Sequence, residues 1–345
     1  MLFPTIVLIA SVFVCALLFV GLMRKYALRR ALVDVPNLRS SHTVPTPRGG
    51  GVGIVIPVLC ALVFLCLTGN LSKEALIGLG GGGLVVAGIG YLDDHSSISP
   101  LYRIIFHFLA ALLVTFSLDG LPPIALPWGL WSFGFIGFLL VPLFVVWCLN
   151  LYNFMDGIDG IAAIEAITVG LGAWYLLRAA GADGLASAVM IYVVACAAFS
   201  IWNWPPAKIF MGDIGSGFLG FSFGAFVVIT FSEAGISPWA WLILLGVFIV
   251  DATITLLVRV ARGERWYEAH CSHAYQHASR RHGSHRPVTI GVALLNVFWL
   301  WPLAWQAQSV PQWGLGLMLL AWAPLVALAI HYKAGHKKMT IGQAS

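Results

Sequence analysis

Eleven stretches of the chain run apolar for about 17 to 22 residues, at roughly 3–23, 51–69, 75–92, 101–118, 131–149, 161–178, 185–203, 214–232, 238–258, 288–307 and 311–332. At about 1.5 Å of rise per residue, a helix of that length crosses the hydrocarbon core of a bilayer. The runs are continuously apolar and do not alternate, which argues against a transmembrane β-barrel. The pattern predicts an all-α, polytopic integral membrane protein of about 11 transmembrane helices, forming a single domain over residues 1–345. Polar residues gather in the breaks, above all near 24–50, 93–100, 150–160, 204–213 and 259–287.

Composition sharpens the class. Hydrophobic residues make up 60% of the chain and charged ones 10%, with a mean hydropathy of +0.91. A soluble domain carries about a quarter charged residues, so that class is excluded. The six cysteines form no disulfide framework: Cys15, Cys60, Cys66 and Cys196 lie in apolar runs, and Cys148 and Cys271 at or near inner ends. The net charge of +5 would suggest a nucleic-acid partner in a soluble protein. Here its distribution matters more, and no such partner is expected.

The first run lacks a basic leader and is followed by Arg24, Lys25, Arg29 and Arg30, which places the N-terminus outside. Alternating from there leaves Lys73 and Arg178 as the basic residues on the outer side of the 19 in the chain. The positive-inside rule then puts the polar breaks and the C-terminus in the cytoplasm.

The densest break is Asn150–Gly160, NLYNFMDGIDG. In a helix Asn150 and Asn153 would be neighbours, as would Asp156 and Asp159, whereas Gly157 and Gly160 favour a helix end and turn whose free N–H groups suit a phosphate. A polar loop capping two helices is the plainer reading. Asp93 and Asp94 close the third run; adjacent carboxylates suit a general base beside Mg²⁺, or two solvated caps. Gly80–Gly83 lacks the following Gly-Lys-Ser/Thr of a phosphate loop and fits close helix packing. Asp213, in KIFMGDIGSG, is either a helix cap or one of several acids around a hard cation. Phe210 offers a ring on which a base could stack, or is core.

Arg48, before Gly49–Gly51, could hold a phosphate or anchor a helix end at the headgroups. Asp251 sits within the ninth run, where a charge is costly and faces a polar cavity, in or just behind the site. His270, His273 and His277 share one face of a helix if the last inner break is helical. They would suit a diphosphate better than zinc, for which no complete ligand set is evident; solvated basic surface is the alternative.

Taken together, the PNxRSSH and PRGGG loop, the Asp pair, NxxNxxDGxDG, FMGDxGS and the late His-rich loop resemble the polyprenyl-phosphate N-acetylhexosamine-1-phosphate transferases. That superfamily includes the phospho-N-acetylmuramoyl-pentapeptide translocase, and the resemblance spans nearly the whole chain. It implies transfer of a sugar 1-phosphate from a UDP-N-acetylhexosamine to undecaprenyl phosphate, with release of UMP, at the cytoplasmic face of a bacterial inner membrane. By the same resemblance Asp213 is the Mg²⁺ ligand, with Mn²⁺ a possible substitute, and Asp93 the base for the lipid phosphate, with Asp94 beside it. Asn150, Asn153, Asp156, Asp159 and Phe210 fall on the nucleotide side, while Arg48 and the histidines fall on the sugar-phosphate side.

The triple-His motif of the translocase is absent, and His95 and Ser96 stand where that subfamily has a basic residue. The likeness is therefore closer to the O-antigen initiating branch, which uses UDP-GlcNAc and relatives such as UDP-QuiNAc or UDP-FucNAc. Direct attack and an aspartyl-phosphate intermediate both remain open, as does a homodimer. A CDP-alcohol phosphatidyltransferase would need Ala-Arg after its Asp-Gly, where this chain has DGIDGIAAIEA. A transporter using Asp251 would need acids at several depths.

Overall fold

A computed structural model describes residues 2–36, 41–42, 44–96, 98–118, 120–265 and 270–336. Asn37, Arg39 and Ser40 of the first inner loop, and Lys337 and Lys338 of the tail, lie outside the described residues.

Every predicted run coincides with helical backbone. In chain order these are α1 (Leu2–Arg29), α2 (Val52–Leu67), α3 (Lys73–His95), α4 (Pro100–Phe116), α5 (Gly134–Met155), α6 (Ile161–Ala179), α7 (Asp183–Asn203), α8 (Asp213–Ala234), the pair α9 (Pro238–Leu244) and α10 (Gly246–Ala261), then α12 (Arg286–Ser309) and α13 (Pro311–His331). A short helix, α11 (Ala274–His282), lies in the last inner loop.

Among the described residues, eight of these helices are long and apolar enough to cross a membrane. The run at 238–258 is not one straight span: α9 and α10 meet at 77°. Two others, α2 and α4, have 16 and 17 residues. At about 1.5 Å per residue these two fall slightly short of a full hydrocarbon core. Two antiparallel ribbons complete the fold, β1 (Val33–Asp34) with β2 (Thr46–Pro47), and β3 (Ile124–Leu126) with β4 (Gly129–Trp131).

Helix α8 is the axis of the bundle and is almost wholly enclosed. Its first turn is approached closely by backbone from two sides. A Cβ on Gly215 would lie 2.8 Å from the Gly51 Cα, and one on Gly90 would lie 2.7 Å from the Ile214 Cα. Only glycine permits such contact, so the start of α2 and the end of α3 both reach the residue that opens α8, Asp213. The Gly80–Gly83 run serves packing too: a Cβ on Gly83 would meet the Phe218 ring of α8 at 2.7 Å. By contrast α1, α12 and α13 form the rim and expose most of their apolar surface, as lipid-facing helices do.

Candidate active site

Asp94, the penultimate residue of α3, accepts the backbone N–H groups of Asp213 (3.1 Å) and Ile214 (3.2 Å). It therefore caps α8 across a gap of 119 residues in sequence, holding the free amides and positive end of that helix. Gly212 makes room for it. Its φ is +77°, and a Cβ there would stand 2.5 Å from Asp94 Oδ2. Arg48 locks the same corner, donating from Nη2 to the Asp94 carbonyl at 2.6 Å.

Asp93 points elsewhere. Its Oδ1 accepts the Ile98 N–H at 2.8 Å, and its Oδ2 accepts Arg103 Nη1 at 2.8 Å. The same Arg103 nitrogen reaches Asp213 Oδ2 at 3.3 Å, so one guanidinium on α4 bridges two acids. Asp93 and Arg103 touch the Asp213 corner through that bridge but are not among the residues that line the adjoining cavity. Arg103 was legible only as an inner-side cation, since nothing in its spacing tied it to Asp93.

That cavity has a volume of about 440 Å³, within the range of small-ligand sites. Asp94, Asp213, Asn153, Asp156, Asp159, Phe210 and Arg48 all line it. Helix α5 ends at Met155, so Asn153 is helical while Asp156 and Asp159 belong to the turn before α6. Asn153 and Asp213 line the cavity together. Asp156 accepts no hydrogen bond from the described residues; burial, and then the charges of Asp213, Asp94 and Asp159, push its pKa well above the usual carboxylate range. Asn150 is not in the lining, because its amide donates to the Val146 carbonyl one turn back in α5 (2.7 Å). The Phe210 ring meets the edge of His42, with centroids 4.8 Å apart.

Asp159 is held by a residue that the spacing arguments missed. His285 Nδ1 lies 3.3 Å from Asp159 Oδ1, and His285 Nε2 lies 3.1 Å from the Ser41 carbonyl. Burial alone would lower the His285 pKa, but its hydrogen bond to Asp159 and that carboxylate's charge raise it overall. The signal available in the sequence was the helix start SHRP, which puts His285 at the N-cap of α12.

His270, His273 and His277 do not line the cavity, a correction to the sequence expectation. They share no helical face, because α11 begins only at Ala274. His273 is its N-cap, and His270 precedes it in coil. His273 is buried and paired with Asp251 at 3.3 Å. His270 stacks on His273, and burial, then the charges of His273 and Arg259, push its pKa down to about 3. His277 contacts the His336 carbonyl at 3.1 Å. Asp251 itself accepts the N–H groups of Ala274 and Tyr275, both at 2.9 Å. It thus caps α11 as Asp94 caps α8, behind the site and not in it.

Could the cavity hold Mg²⁺? Five carboxylates (Asp34, Asp94, Asp156, Asp159 and Asp213) line it, against one guanidinium, Arg48. A diphosphate entering alone would be repelled. Among the described residues no three acidic, thiol or imidazole groups converge closely enough to cage a cation. Mg²⁺ is commonly bound by one or two carboxylates completed by substrate phosphates and water, so the donor set suits an ion that arrives with a diphosphate.

A family model described as Glycosyl transferase family 4 matches residues 76–231, a stretch that contains Asp93, Asp94, the 150–160 turn and Asp213. The chain is similar, over this stretch and beyond it, to membrane glycosyltransferases named as polyprenyl-phosphate N-acetylglucosamine-1-phosphate transferases. Over 347 residues it is 29% identical to the decaprenyl-phosphate N-acetylglucosaminephosphotransferase of Mycolicibacterium smegmatis, covering 90% of this chain and 83% of the relative. It is 26% identical to the undecaprenyl-phosphate alpha-N-acetylglucosaminyl 1-phosphate transferase of Escherichia coli K12, covering 90% and 86%. It is also 26% identical to a probable undecaprenyl-phosphate N-acetylglucosaminyl 1-phosphate transferase of Bacillus subtilis, covering 81% and 78%.

Proposed function

We propose that the protein transfers an N-acetylhexosamine 1-phosphate from a UDP-sugar to undecaprenyl phosphate, releasing UMP, at the cytoplasmic face of a bacterial inner membrane. The donor sugar is of the GlcNAc, QuiNAc or FucNAc type, and the product primes O-antigen or another surface polysaccharide. The observation that carries this reading is the position of Asp213. It opens α8, lines a cavity of small-ligand size and is bridged by Arg103 to Asp93. Relatives named for transfer to undecaprenyl or decaprenyl phosphate support it.

In this reading the UDP moiety occupies the cavity, its base against Phe210 and its diphosphate near Asn153 and Asp213. Asp213 and Asp156 would hold Mg²⁺, which when bound neutralises diphosphate charge. Arg103 orients the acceptor phosphate and Asp93 accepts its remaining proton. An acceptor oxygen then attacks the β-phosphorus in line; the new P–O bond forms as the bond to the UMP oxygen breaks. Phosphoryl transfer of this kind depends on positioning and charge neutralisation more than on covalent help. Asp251 is occupied in capping, which removes the basis for an ion path through it.

The test is to incubate purified protein with undecaprenyl phosphate, Mg²⁺ and a panel of UDP-sugars while following UMP. Lipid-dependent, Mg²⁺-dependent UMP release is expected. Its absence with every donor would overturn the proposal.

A further inference from the structure

Glu165 is fully buried in α6, two helical turns or less from the Asp159 turn, and none of the chemistry above uses it. An acid inside a span is costly unless it is partnered. Its Oε2 accepts Asn296 Nδ2 at 2.7 Å, and the same amide donates to Thr168 Oγ1 at 2.7 Å. Glu165 Oε1 and Asn296 Oδ1 are buried without a partner. Asn296 also opens a π-helical turn, Asn296–Leu300, within α12. Such turns are rare and often mark positions where a helix is held out of its regular register.

Seven residues before Asn296, on the same face of α12, Thr289 Oγ1 donates to the Asp159 carbonyl at 3.0 Å. Just ahead of it His285 meets the Asp159 carboxylate. Helices α6 and α12 are thus tied at three depths: by Thr289 and His285 at the Asp159 turn, by Asn296 in the apolar interior, and by Trp301 Nε1, which donates to the Thr168 carbonyl at 3.0 Å. Apolar faces can slide or rotate against each other at small cost. A buried carboxyl–amide pair cannot, because any other register leaves both groups unpaired.

We propose that Glu165 is a positioning residue: through Asn296 it sets the register of α12 on α6 and so holds His285 against Asp159 in the donor site. The inference rests on the proposed transfer reaction for its kinetic readout, and has a second readout that does not.

The experiment compares Glu165→Gln, Glu165→Ala and Asn296→Ala in the full-length, detergent-purified chain. Glu165→Gln keeps an acceptor for the Asn296 amide and should behave as wild type within about twofold. Both alanine variants should lose about tenfold to a hundredfold in kcat/KM, mainly through a raised donor KM. They should also speed amide hydrogen exchange at Asp159 and Gly160. Normal kinetics and normal exchange in a folded Glu165→Ala protein would overturn the proposal. So would a Glu165→Gln variant as impaired as the alanine one, which would assign the role to the charge. If Glu165→Ala does not fold, Asn296→Ala decides by the same criteria. If wild type shows no UMP release, the transfer reading fails, while the exchange comparison still decides the positioning claim.

Discussion

Gly212 and Asp94 form the smallest unit on which the site depends. One has a backbone that L side chains rarely adopt, and the other lies where a side chain at 212 would go. Gly212→Ala is therefore expected to destabilise the protein by about 2 kcal/mol, read as a lowered melting temperature in detergent, and to loosen Asp213 with it. Asp93→Asn is expected to reduce UMP release by about a hundredfold or more while UDP-sugar binding survives. Normal turnover in that variant would refute the assignment of Asp93 as base. His285 gives a pH signature. Its pKa in the folded protein lies above the ordinary 6.5, so its charged contact with Asp159 has full strength below that value and fades as pH rises through the raised one. Donor affinity should weaken on the alkaline side, and His285→Gln should flatten that limb of the titration.

Two carboxylates, one at the end of α3 and one within α10, reach across to begin other helices, and this device organises the elements. Asp94 on α3 starts α8, and Asp251 on α10 starts α11. Asp251→Ala would leave two amides and the His273 ring without their partner. It should cost about 3 kcal/mol and increase hydrogen exchange across Ala274–His282. The same device explains what could and could not be read from the sequence. The apolar runs marked out all the long helices, because burial in lipid leaves its record in every residue. The clustering of Asp94, Asn153, Asp156, Asp159, Phe210 and Asp213 was equally legible, since each sits at the inner end of a run. The histidine loop was misread for a physical reason: spacing of three and four residues signals a helix only if the helix has begun, and the start of α11 is set by an acid more than twenty residues away. Arg103 and His285 escaped notice because a single cation carries no pattern until a partner from another helix meets it.

At the scale of the whole molecule, the described polar loops meet at the N-terminal end of α8, and the proposed orientation, with that end in the cytoplasm, rests on the placement of basic residues. A cysteine introduced at Ala182, in the turn between α6 and α7, should react with an impermeant thiol reagent added outside intact spheroplasts. One at Ser284 should react only after lysis. The reverse pattern would invert the topology and with it the cytoplasmic placement of the site. Within the bundle, Asp213 both lines the cavity and contacts Arg103, which also holds Asp93. Two reactants held by separate groups that meet at one carboxylate need not take turns. Initial-rate lines collected at several fixed donor concentrations should intersect, the sign of both substrates being aboard before anything leaves, whereas parallel lines would mean that UMP departs first.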